Sequence, residues 1–222
     1  MIQFNDTEAR VLACLIEKSI ATPDHYPLTL NSLVAACNQK SNRNPEMDLD
    51  ERSVSNALDA LRFTHTIVVQ VAEAGSRVAK FKHDISQHLP HTPEITAILC
   101  ELMLRGPQTV GEVKAHTKRL FGFASLVEID DILKELRSGE EPWVTQLPPG
   151  PGKREKRYAH LLCGPVDDAI AYASSVAPVS QAPSLPPAPS RIDEMEEDVI
   201  ALKQEVASLR LEIEELKRQL GA

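Results

Sequence analysis

The residues of this chain with the clearest chemical potential are cations gathered in short runs. The densest is Lys153, Arg154, Lys156 and Arg157, reached through the segment Pro148-Pro-Gly-Pro-Gly-Lys-Arg-Glu-Lys156. Smaller groups stand at Lys40 and Arg43, at Arg77, Lys80 and Lys82, and at Lys114, Lys118 and Arg119. Cations on exposed loops neutralise phosphates and release condensed counterions, so they attract nucleic acid regardless of base sequence and lose that attraction as salt rises. The four cations of the densest run would meet up to about four phosphates. The competing expectation is that these charges solvate loops, or pair with the acidic third helices of a neighbouring domain. The segment Asn38-Gln-Lys-Ser-Asn-Arg-Asn44 sets amide donors beside two cations, which suits phosphate or carboxylate contacts. Equally, its Asn side chains can close a rigid turn on their own backbone.

Other chemistry has less footing. The seven histidines are dispersed, and the nearest pair, His88-Leu-Pro-His91, has no third ligand close in sequence, so no metal site is expected. Cys14, Cys37, Cys100 and Cys163 form no CxxC pair and read as small buried hydrophobes. No glycine-rich phosphate loop follows a strand, and there is no nucleophile elbow, HExxH or plausible carboxylate pair. Neither an enzyme nor a bound cofactor is expected.

Net charge is −8 at pH 7, but its distribution matters more than its size. Lys and Arg number 9 against 11 acidic residues over 1–86, 10 against 10 over 87–163, and 5 against 11 over 164–222. The acidity belongs mainly to the tail, so the overall charge does not exclude a phosphate partner for the rest. No apolar run approaches the roughly 18 residues that span a bilayer. The start, Met1-Ile2-Gln3-Phe4-Asn5-Asp6, lacks a basic stretch followed by an apolar one. A soluble cytoplasmic protein without a membrane partner is expected.

The elements that must position the cations come in two copies of one order. Asn5-Asp6-Thr7-Glu8 reads as a capping box opening a helix with Val11, Leu12, Leu15 and Ile16 inward. The loop Thr22-Pro-Asp-His-Tyr-Pro27 follows, with Tyr26 as its core anchor, then a short helix near 30–38. A third helix is capped by Asp50 and turns Val54, Ala57, Leu58 and Leu61 inward, and strands at 67–71 and 78–82 close the first half. The second half repeats this: a helix over 93–105, a break at Gly106-Pro107, a short helix capped by Thr109, and a third opened by Ser125-Leu-Val-Glu128. A hairpin of 143–147 and 157–162 ends it, with the proline- and glycine-rich loop projecting between. Three helices and a hairpin in that order are the winged-helix plan, so the expected fold is mainly α with small β-hairpins. Domains are expected at 1–86 and 87–163.

In that plan the third helix ordinarily enters the major groove. Here the first copy carries Asp48, Asp50, Glu51 and Asp59 against Arg52 and Arg62, and the second Glu128, Asp130, Asp131 and Glu135 against Lys134 and Arg137. Acidic helices are repelled by phosphates, which shifts any nucleic-acid role to wings and loops.

Residues 164–190 hold Pro165, Pro178, Pro183, Pro186, Pro187 and Pro189 among Ala and Ser, the composition of an unpacked linker. Over 191–222 the apolar residues then repeat in heptads, with Ile192, Val199, Val206, Ile213 and Leu220 at a and Met195, Leu202, Leu209 and Leu216 at d. Mostly β-branched a with leucine at d predicts two parallel strands. Asp198, Glu205 and Glu212 at g would face Lys203, Arg210 and Lys217 at e of a parallel partner, while an antiparallel pair would set like charges together. The tail is therefore expected to make a homodimer, with a helix folded back on its own body or pairing with another chain as the alternatives.

Several runs also carry a resemblance. Glu8-Ala-Arg-Val-Leu-Ala-Cys-Leu-Ile-Glu-Lys18, Thr22-Pro-Asp-His-Tyr-Pro-Leu28, Ala36-Cys-Asn-Gln-Lys-Ser-Asn-Arg43, Gly75-Ser-Arg-Val-Ala-Lys80, Arg105-Gly-Pro-Gln-Thr109 and Pro151-Gly-Lys-Arg-Glu-Lys-Arg-Tyr-Ala-His160 closely resemble the YceH-like family of bacterial proteins. The match covers roughly residues 4–164 and implies a bacterial tandem winged-helix protein of uncharacterised function. The functional expectation is a dimer that binds DNA through basic wings and loops, at Lys40, Arg43, Arg77, Lys80, Lys82, Lys118, Arg119, Lys153, Arg154, Lys156 and Arg157. The alternative is a scaffold whose acidic faces dock a protein partner without nucleic acid.

Overall fold

A computed structural model of the chain describes residues 2–72, 78–86, 88–149 and 155–166. Arg77, Lys153, Arg154, the linker beyond residue 166 and the heptad helix from Ile192 to Leu220 lie outside the described residues. The fold is mixed α and β, with several helices and two small antiparallel sheets.

Local chemistry starts each helix. In α1 (Asp6–Ala21) the Asn5 side chain accepts from the Glu8 amide at 2.9 Å and Glu8 accepts from the Asn5 amide at 3.0 Å. Two otherwise orphaned donors are thereby satisfied reciprocally. Thr29 caps α2 (Leu30–Cys37), and Asp50 caps α3 (Glu51–Asp59), which continues through a π-helical turn at Ala60–Thr64. Strands β1 (Leu28–Thr29), β2 (Val68–Val71) and β3 (Lys80–His83) form a sheet in the order β1-β3-β2, with Phe81 opposite both Leu28 and Gln70. Tyr26 anchors the loop before β1, its hydroxyl accepting from the His83 amide at 2.7 Å.

The order then recurs. Helix α4 (Pro93–Arg105) begins on a proline whose missing N–H costs nothing at that position, and it ends on Gly106 at φ +69, a left-handed value that glycine adopts without strain. Thr109 caps α5 (Val110–His116) with a full capping box to Glu112. Ser125 caps α6 (Leu126–Arg137), but the Glu128 carboxylate accepts from the Ala124 amide rather than from Ser125, so the expected box is only half formed. Strands β4 (Val144–Leu147) and β5 (Arg157–His160) pair antiparallel. Gln108 bridges to Tyr158 through N–H···O contacts of 3.0 and 2.7 Å, standing in the second half where β1 stands in the first.

The two halves meet on α4. Thr96 through Leu104 are all buried, with Cys100, Met103 and Leu104 facing the first apolar cluster and Ala97, Ile98, Leu99 and Leu102 facing the second. A helix so largely apolar must be covered on nearly every side, and its buried Glu101 is held by Arg105 at 3.0 Å. Helix α1 supplies much of that cover, and Cys100 donates its thiol to the Ala13 carbonyl at 3.4 Å. All described residues fall in one compact unit. Cys14, Cys37 and Cys100 sit in its interior and Cys163 is half-buried.

Candidate nucleic-acid interface

The expected interface residues separate into buried, paired and open groups. Arg43 corrects the sequence reading. It is only 5% exposed, because the loop after α2 folds its guanidinium inward onto α1. There it meets Glu17 through Nη2 at 2.7 Å and Nη1 at 3.2 Å, the Ala36 carbonyl through Nη2 at 3.0 Å, and Gln39 at 3.1 Å. Burial pushes the Glu17 carboxyl up, but the bonds from Arg43 outweigh it and hold the group below its ordinary range. A guanidinium so occupied is not available to a phosphate.

The asparagines of that loop are spent internally too. Asn38 exchanges two 2.8 Å bonds with the Leu49 backbone, the Asn44 amide donates to the Leu104 carbonyl at 2.9 Å, and Arg105 bonds Asn42. These asparagines bond Leu49, Leu104 and Arg105, all outside the segment, rather than closing the turn on its own backbone. Arg10 of α1 lies behind it at 1% exposure, donating to the carbonyls of Pro45 at 2.8 Å, Cys37 at 3.3 Å and Leu104 at 3.4 Å. Periodicity does not single out this arginine, because its partners lie as far as 94 residues away.

Arg157 is paired. Its Nη2 meets Glu112 of α5 at 2.7 and 2.9 Å, which ties the returning strand to the start of that helix. Lys40 is exposed, with Glu46 at 3.5 Å, an arrangement worth little in water. Lys114 donates to the Ala124 carbonyl at 2.9 Å and fastens the loop before α6.

Lys82, Lys118, Arg119 and Lys156 remain open, exposed and with no ion pair to any described residue. Lys82 lies on β3 and Lys156 immediately precedes β5, the returning strand of each hairpin. Lys118 and Arg119 close the 3₁₀ turn after α5. Lys80, half-buried on β3, lines a groove of about 550 Å³ with Lys18, His25 and Gln39. Lys18 escapes a reading of cation runs because it is 62 residues from Lys80.

A second groove, about 680 Å³, runs between α6 and the second hairpin. Val127, Asp130, Lys134 and Arg137 line one wall at helical spacing, and Gln146, Lys156 and Tyr158 line the other. Its polar floor is connected. The Tyr158 hydroxyl donates to Asp130 at 3.0 Å and accepts from Gln146 at 3.0 Å, Lys134 holds Asp130 at 2.8 Å, and Arg137 donates to Gln146 at 2.6 Å.

Comparisons with known proteins agree with one another. A family model described as a protein of unknown function, DUF480, matches residues 4–153. Full-length relatives include a UPF0502 protein of Pelobacter propionicus, 45% identical over 97% of each chain. Another, from Geobacter sulfurreducens, is 45% identical over 94% of this chain and 90% of its own length. A third, from Aliivibrio fischeri strain ES114, is 42% identical over 98% of this chain and 96% of its own. These alignments extend past the family model into the tail.

Proposed function

This chain belongs to the DUF480 family, and we propose that it is a dimeric, non-catalytic tandem winged-helix protein of the cytoplasm that binds DNA through its hairpins and loops, as a regulator or chromosome-associated factor. The fold assignment is supported by the repeated helix order, by the β1-β3-β2 sheet and by the Gln108–Tyr158 bridge that stands in for β1 in the second half. Among the described residues no helix is long and apolar enough to cross a membrane.

One observation carries the DNA reading: Lys82 on β3 and Lys156 immediately before β5 are exposed cations with no carboxylate partner among the described residues. Lys156 continues the basic run of Lys153 and Arg154. The third helices carry carboxylates at their surfaces, among them Asp59, Asp131 and Glu135, so the contact is electrostatic and on the backbone rather than a reading of base edges. The heptads of the tail join two bodies through roughly 17 proline-rich residues that reach about 50 Å when extended. Such a dimer gains avidity on long DNA without enforcing one half-site spacing.

Binding of the full chain to random-sequence duplex across a salt series tests this reading, beside a variant with Lys153, Arg154 and Lys156 changed to Glu. Arg157 is left intact, because its replacement would also strip Glu112 of its partner. A second reading, docking of a protein partner, is favoured by the exposed apolar residues at the start of α6.

A further inference from the structure

We propose that the groove between α6 and the second hairpin is a docking site for a protein segment that presents an apolar side chain beside carboxylates. This goes beyond the DNA reading and does not depend on it. Leu126 and Val127, the first two residues of α6, are 49% and 67% exposed. The inward face of that helix is already filled by Ile129, Leu133 and Leu136, so the pair contributes little to the core. Val127 instead heads the stripe of Asp130, Lys134 and Arg137, and Val110 adds apolar surface across the groove. An apolar wall with a few placed polar groups is the usual make-up of a recognition groove.

The charge of the rim selects the occupant. Lys134 is neutralised by Asp130 at 2.8 Å and Asp131 at 3.1 Å. Among the described residues Arg137 bonds the neutral amide of Gln146 and makes no ion pair, and Lys156 has no ion pair either. Asp130 and Asp131 are engaged by Lys134, so Arg137 and Lys156 are the cations of the rim left without an ion pair among the described residues, and a segment bearing a carboxylate next to its apolar anchor can meet them. The first repeat supplies a contrast. Counted from the N-cap, Arg52 stands in the place of Val127, Ser55 in that of Asp130, Asp59 in that of Lys134 and Arg62 in that of Arg137. Arg62 there meets Asp59 at 3.4 Å, so the equivalent stripe has no apolar head and its last cation is paired.

The test uses the full-length protein as bait for random peptides displayed on phage, followed by titration of the enriched peptide carrying a fluorescent label. Two variants are compared. Val127→Glu alters an exposed position where a carboxylate suits the helix N-terminus, and Arg137→Gln removes an exposed charge together with its surface bond to Gln146, so both are expected to fold. The expected result is enrichment of apolar residues flanked by Asp or Glu, with affinity reduced at least about tenfold by Val127→Glu and several-fold by Arg137→Gln. DNA binding by the same variants stays at the wild-type level. No enrichment, enrichment of sequences without acidic residues, or binding indifferent to both substitutions would overturn the assignment. So would a Val127→Glu protein that keeps the peptide and loses DNA. Failure of the DNA reading shows separately, as duplex binding that ignores the Lys153, Arg154 and Lys156 substitutions.

Discussion

Arg43, from the loop after α2, grips Glu17 of α1 with both terminal nitrogens, Nη2 to Oε2 at 2.7 Å and Nη1 to Oε1 at 3.2 Å. The Arg43 side chain is fully enclosed in this pair while Glu17 keeps a narrow opening to solvent. The ion pair therefore works as a clasp between α1 and the polar turn that docks on the end of α4.

Arg43→Ala leaves a largely buried carboxylate with only the longer 3.5 Å contact to Lys18, a change that costs up to about 3–5 kcal/mol in comparable sites. Urea denaturation of the variant should show a loss of that order, while DNA affinity measured on folded protein stays within about twofold of wild type. A variant of normal stability with weakened DNA binding would return Arg43 to the interface.

Acid sensitivity follows from His160. Burial pushes its imidazole down to about 4, and its Nδ1 is shut off from solvent without a hydrogen-bond partner among the described residues. The folded state thus prefers the neutral ring, while the unfolded chain takes up its proton near pH 6.5. Stability is full above pH 6.5, falls as pH drops through the window from 6.5 to 4, and levels below it, by up to about 3 kcal/mol in all. Burial depresses His83 in the same direction. Thermal melts from pH 7.5 to 4.5 should show this decline, and His160→Gln should flatten part of it. An unchanged pH profile in that variant would assign the acid response elsewhere.

Tyr158→Phe removes one donor and one acceptor from the floor of the second groove. Asp130 keeps Lys134 at 2.8 Å and Gln146 keeps Arg137, so neither is stranded, and the expected cost is about 1 kcal/mol. A loss above about 3 kcal/mol would mean that the hydroxyl holds β5 to α6.

Leu202→Asp together with Leu209→Asp places charges at two d positions of the proposed zipper. Light scattering should then give a mass near the 24.5 kDa of one chain rather than twice that value. Binding to long duplex should weaken more than binding to a short one, because only the long duplex rewards two tethered bodies. A dimeric double variant would place the subunit contact outside the tail.

Much of the helical order was legible because caps and apolar periods are local. Asn5 with Glu8, Asp50, Thr109 and Ser125 mark four helix starts within three residues each, and α4 runs from Pro93 to Arg105 as its composition predicts. The two-residue strand β1 is too short to show a period. The cations divide along the same line. A basic run is visible in sequence, but which members remain open depends on distant partners, 26 residues away for Arg43 and 45 for Arg157. Leu126 and Val127 have the composition of further core, and only the filled inner face of α6 leaves them at the surface.

Fluorescence anisotropy of the full-length protein with random-sequence duplex, between 50 and 200 mM salt, tests the central claim most directly. The account predicts micromolar binding at low salt whose logarithm falls with slope about −3 to −4, as expected for roughly four phosphates neutralised. It also predicts at least about tenfold weaker binding when Lys153, Arg154 and Lys156 become Glu. Absence of binding at 50 mM salt, or binding that the substituted hairpin leaves unchanged, would contradict it.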